Sequence, residues 1–108
     1  MNYKVLFPVL WTLIIVILSV IPPPIHGPEA SKLFDLGHVA SYALLTILWI
    51  WSLKSKVYAL LISLVMTPLT ELVQLPLPWR NANLIDVLNN ALGVLVGIVF
   101  YRVVIHFV

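Results

Sequence analysis

The stretch Asn83–Tyr101, NLIDVLNNALGVLVGIVFY, joins two kinds of sequence that rarely meet. It opens on an aspartate and two adjacent asparagines, and from Ala91 to Phe100 it carries neither charge nor polar side chain. Continued to Phe107, it is long enough to cross a hydrocarbon layer as one helix, which takes about 20 apolar residues. Water does not explain such a run, and lipid does not explain the polar residues at its mouth. The fold follows from the first half of that contrast and the candidate site from the second.

The whole chain repeats the pattern. Of 108 residues, 62% are hydrophobic and 9% are charged. A soluble domain this small must cover a large share of its surface with polar groups, and this chain lacks them. Lipid is therefore its solvent. In lipid every backbone polar group must be satisfied internally, which favours helices over irregular chain. Nothing alternates at period two, so a barrel is excluded. The net charge of +2 arises from six Lys and Arg against four acids, too few for a nucleic-acid footprint. With no cysteine there is no disulfide, thiol nucleophile or thiolate metal site.

Four apolar segments fit spanning helices, roughly 3–21, 35–53, 57–75 and 84–107. The expected fold is all-α: a single-domain integral membrane protein built as a four-transmembrane-helix antiparallel bundle. The first segment ends at Pro22-Pro23-Pro24 without a small-residue cleavage site, so it reads as a retained helix. With four spans both termini share a side with the Lys54-Ser55-Lys56 link. That side also carries Lys4 and Arg102, against Lys32 and Arg80 on the other. The positive-inside rule then puts both termini in the cytoplasm.

Antiparallel packing gathers the polar residues at the opposite face. Asp35, His38, Ser41 and Tyr42 open the second segment, Glu71 and Gln74 close the third, Arg80 lies in the next link, and Asp86, Asn89 and Asn90 open the fourth. Spacings of three and four put Asp35, His38 and Tyr42 on one helix side, and likewise Glu71 with Gln74. Asp86, Asn90, Gly93 and Gly97 form a stripe that starts polar and turns small, suited to close approach of a neighbouring helix. An acid within a span costs on the order of 2.5–3.5 kcal/mol at the helix centre and less near its ends. Glu71 thus needs a partner or a proton. Arg80, whose planar fork suits a carboxylate, is expected to pair with Glu71 or Asp86, and the sequence leaves open which.

Each residue has a plainer reading. Asp86 suits a helix N-terminus, with Asn83 as its cap. The asparagines serve as interhelical glue, and His38 packs like many other histidines. Histidine with carboxylates suits zinc or manganese, yet no metal-binding helix motif occurs, so no metal or other cofactor is assigned from sequence. His26 and His106 read as incidental. No nucleophile elbow surrounds Ser41 or Ser63, so enzymatic activity is not the favoured reading. Pro68 is expected to kink the third helix and free a carbonyl near the cluster.

In order, GHVASYALL, ELVQ, Arg80 and DVLNNALGVLVG resemble the VanZ-like family of small membrane proteins. His38, Tyr42, Glu71, Gln74, Arg80, Asp86, Asn90, Gly93 and Gly97 match its pattern in kind and order. Where many members carry Asp-Lys before the histidine, Asp35 is here followed by Leu36. The family is named for a protein that lowers sensitivity to the glycopeptide teicoplanin. The resemblance therefore implies a role at the cell envelope: a polar pocket at the outer face that binds or shields a membrane lipid, a cell-wall precursor or a lipoglycopeptide. Two other readings stand beside it. One is an intramembrane enzyme using His38 with Glu71 or Asp86. The other is a partner-binding protein whose cluster is glue. The sequence gives no oligomeric state.

Overall fold

The computed structural model describes residues 2–22, 27–79 and 84–107, with side chains as far as Ile105. A short 3-10 turn over Tyr3–Val5 leads into α1 (Leu6–Val20), followed by α2 (Pro28–Leu53), α3 (Lys56–Gln74) and α4 (Leu84–Phe107). Among the described residues there is no strand, and all four helices are long and apolar enough to cross a membrane, α1 together with the turn before it. The protein is a multi-pass membrane protein built as an antiparallel four-helix bundle.

The helix ends follow local chemistry. Asn2 caps the opening turn by accepting from the Lys4 N–H (3.0 Å), and its amide donates to the Ser52 carbonyl (2.6 Å), fixing the N-terminus beside the end of α2. At Ile21 the backbone is extended, as expected before the proline that follows. Gly27, at φ +104°, holds the turn into α2, with Pro28 at the first helical position. Lys54 leaves α2 in a left-handed conformation, donating its N–H to Ile50 O, and Ser55 caps α3 by accepting from the Tyr58 N–H. The α2–α3 link is therefore only two residues long.

Hydropathy places the start of the second helix at 35, whereas α2 begins at Pro28. Its 26 residues span about 39 Å, against about 30 Å of hydrocarbon. The extra turns carry Glu29, Ser31 and Lys32, polar residues that lower hydropathy without ending a helix. With the opening turn counted into the first span, the other limits differ from expectation by one residue at most, within the ordinary scatter of helix ends.

The packing is inverted relative to a soluble protein. Thr46, Ser52, Ser63, Thr67, Thr70, Glu71, Gln74 and Asn90 are buried, while leucines, isoleucines and valines of every helix face outward. Inside, Ile15, Tyr42, Leu45 and Val94 make the apolar core. The closest approach is between α2 and α4, where two glycines make room. A Cβ on Gly97 would lie 2.5 Å from the Ala43 carbonyl oxygen and 3.1 Å from Thr46 Cβ, and one on Gly93 would collide with the Val39 carbonyl. With no hydrophobic drive between helices in lipid, such backbone proximity is a main source of cohesion.

Pro68 sits inside α3 and lacks the N–H that would reach Leu64 O. The Thr67 hydroxyl donates to that carbonyl instead (2.8 Å). The freed acceptor is thus satisfied locally and is not offered to the cluster.

Candidate functional site

The ends of α1 and α3 and the starts of α2 and α4 meet at one end of the bundle. Two side chains fasten α1, α2 and α3 together. Gln74 Nε2 donates to Ser19 O (2.9 Å), tying α3 to α1. The Tyr42 hydroxyl donates to Met66 O (3.1 Å) and lies 3.0 Å from Thr70 Oγ1, tying α2 to α3. Beside them, Trp79 Nε1 donates to Val20 O and Trp11 Nε1 to Ser41 O, both at 2.9 Å.

Between these fasteners lies a cavity of about 330 Å³. Its walls are graded. Leu18, Ile21 and Leu33 are exposed and apolar, whereas Glu71, Gln74 and Asn90 are buried and polar. The lining positions on α2, namely Leu33, Phe34, Gly37, His38, Ser41 and Tyr42, recur at helical spacing, so one face of that helix forms a wall. Gly37, at the middle of this face, has nothing within 4 Å of the position of a Cβ.

His38, Glu71 and Asp86 come from three different helices. One ring nitrogen and one oxygen from each carboxylate lie within 4.8 Å of one another. Glu71 is buried, and His38 and Asp86 are half-buried. His38 Nδ1 lies 2.6 Å from the Phe34 carbonyl. A carbonyl only accepts, so Nδ1 carries the proton, and in the neutral ring Nε2 is the lone-pair nitrogen. Glu71 and Asp86 each have polar interactions of their own. Asn90 stands one turn beyond Asp86, is 1% exposed and lines the cavity. Its Oδ1 accepts no hydrogen bond among the described residues. Such an orphan is unusual in a buried amide and calls for an explanation.

The residues singled out from sequence thus divide. His38, Glu71 and Asp86 converge, and Asn90 opens on the same cavity. Tyr42 and Gln74 line it too, with their polar atoms committed to neighbouring helices. Asp35 is half-buried and is not among the lining residues; nor is Asn89. Gly93 and Gly97 lie against α2 rather than at the cavity. Arg80, with its expected carboxylate partner, and the expected cap Asn83 lie outside the described residues. Sequence reasoning overlooked α1 altogether, although Ile15, Leu18, Ser19 and Ile21 supply one wall. It also overlooked Thr70. The signal for Thr70 was present: Thr67, Thr70, Glu71 and Gln74 form a polar stripe at helical spacing on an otherwise apolar helix.

Neither a curated protein nor a solved structure matches the chain significantly. The family model for VanZ/LLP1 does, over residues 4–105, from the opening turn through all four helices. With nearly the whole chain matched, and with the histidine, glutamate, aspartate and asparagine of the resemblance gathered at one end of the bundle, the protein belongs to the VanZ/LLP1 family.

Proposed function

We propose that the protein binds an envelope amphiphile, with the polar head group among the buried polar residues and the apolar part against the exposed leucines and isoleucines. The observation that carries this reading is the gradient in the cavity wall, from exposed Leu18, Ile21 and Leu33 to buried Glu71, Gln74 and Asn90. Small-molecule sites are typically apolar hollows of this size with a few convergent polar groups that fix orientation. A lipid fits the gradient without leaving its own solvent. By the orientation read from Lys and Arg, the cavity faces away from the cytoplasm, where lipid-linked wall precursors and lipoglycopeptides are met. A contribution to glycopeptide tolerance, teicoplanin included, follows if the captured molecule is the drug or its target.

Thermal unfolding in nanodiscs tests this, with and without a lipid-linked wall precursor or teicoplanin. Wild type is expected to gain stability with at least one of them. Asp86→Asn and Glu71→Gln are expected to lose that gain while retaining a cooperative transition. Absence of any ligand-dependent shift in wild type would remove the reading.

The bond from His38 Nδ1 to Phe34 O favours a second reading, in which Nε2 acts as a base on the bound lipid beside Glu71 and Asp86. Its test is turnover: the bound lipid recovered unchanged after prolonged incubation with wild type would leave binding alone.

A further inference from the structure

We infer that His38, Glu71 and Asp86 form a binding site for a divalent transition-metal ion, zinc or manganese, with Asn90 Oδ1 as an additional oxygen donor. Three observations meet here. The first is the convergence of one nitrogen and two carboxylate oxygens within 4.8 Å, from three different helices. Donors bound tetrahedrally to one ion at about 2.1 Å sit about 3.4 Å apart, so a contraction of up to about 1.4 Å closes the set. Side-chain rotation of Glu71 or Asp86 supplies that without moving a helix.

The second is the state of His38. A metal-binding imidazole ordinarily donates its other N–H to a carbonyl or carboxylate, which fixes the tautomer and the ring plane. His38 already does so, through Nδ1 to Phe34 O, and this leaves Nε2 as the donor atom.

The third is Asn90. Its Oδ1 is buried without a hydrogen-bond donor among the described residues, at a residue lining the same cavity as His38 and Glu71. A cation is a partner that an amide oxygen accepts directly. Charge agrees as well. Two ionised carboxylates, a neutral imidazole and a dication sum to zero, which lessens the cost of carrying the acids into a low-dielectric region. One nitrogen with two or three oxygens is a donor set for zinc or manganese rather than for calcium, which takes six to eight oxygens. The ion would stand beside the cavity, so a coordination position not taken by protein is open to the head group of whatever enters. This last point rests on the amphiphile reading; the ion site does not.

The test uses the full chain in nanodiscs of zwitterionic lipid, stripped with chelator and then equilibrated with micromolar Zn²⁺ or Mn²⁺. Metal analysis after desalting is expected to give about one ion per chain, with a rise in unfolding temperature reversed by chelator. His38→Gln and Asp86→Asn are expected to weaken binding by on the order of tenfold or more, since loss of even a supporting partner costs that much. Co²⁺ added to the unaltered protein supplies a measurement independent of any variant's folding: d–d absorption with nitrogen and oxygen ligation is expected. Wild type holding no ion above empty nanodiscs and giving no Co²⁺ spectrum would overturn the site. So would equal uptake by both variants. Gly37→Phe separates the two proposals, because its ring enters the cavity from α2 and leaves all four donor residues unaltered. It is expected to keep the ion and lose the amphiphile, whereas amphiphile binding without any ion would refute the metal site alone.

Discussion

Gly37→Phe is the sharpest perturbation the structure offers. The position lies midway along the cavity-facing side of α2, and a Cβ there meets nothing within 4 Å. An aromatic ring is thus expected to grow into open space rather than into a neighbour. Replacing glycine within a helix gains about 1 kcal/mol for alanine and about 0.4 kcal/mol for phenylalanine, which has a lower helix propensity. Without ligand the variant should melt within about 2 °C of wild type, and on the higher side. With ligand at a hundred times its Kd, wild type gains about 2.7 kcal/mol. If the ring weakens binding a hundredfold, the variant retains only about 0.4 kcal/mol of that gain. Gly37→Ala is the control: one methyl leaves most of the hollow open, so the ligand response should persist alongside the propensity gain. Thermal unfolding in nanodiscs reads all three proteins in one experiment. A Gly37→Phe protein with the full ligand response would refute the cavity as the binding site. One that melts far below wild type would refute the claim that Gly37 faces open space.

Gly97→Ala places its Cβ 2.5 Å from the Ala43 carbonyl oxygen, so α2 and α4 must separate; a loss of about 1–3 kcal/mol is expected in reversible unfolding in detergent. Tyr42→Phe removes the donor to Met66 O, and should cost about 0.6–1.7 kcal/mol by the same assay, the range for hydrogen bonds between membrane helices. Thr67→Val should be costly only while Pro68 is present, because the hydroxyl stands in for the missing N–H at Leu64 O. In a Pro68→Ala background its cost should fall, and additivity within about 0.3 kcal/mol in the double-mutant cycle would exclude that compensation.

The membrane class of the fold was legible because it is a property of composition. A chain with 9% charged residues has few alternatives to lipid, and lipid admits few backbones. The start of α2 was not, because hydropathy measures apolarity rather than helicity, and the turns through Glu29 and Lys32 are helical although polar. In the candidate site, the approach of His38, Glu71 and Asp86 was foreseeable as a shared membrane face. The division of labour was not. Whether Gln74 reaches Ser19 O, or Tyr42 reaches Met66 O, depends on the rotation of each helix about its axis. Spacing along one helix does not contain that angle. The part of α1 was hidden for a related reason: Leu18 and Ile21 look like any lipid-facing residues until a cavity is found beside them.

The attachment of α1 bears on the order in which the bundle is assembled. Only Pro8 and Ile15 of this helix are buried, and it is held by hydrogen bonds spread along its length. Asn2 reaches the carbonyl of Ser52, Trp11 that of Ser41, while Gln74 and Trp79 reach back to Ser19 and Val20. A nascent chain that ends at Leu53 has α1 and α2, yet neither donor for the far end of α1 has been synthesised. The first helix to be made is therefore expected to be fixed in place only after α3 is complete. Cross-linking between α1 and α2 in chains arrested at increasing lengths should rise sharply only once Trp79 has emerged; a full yield already at Leu53 would show that α1 docks without them.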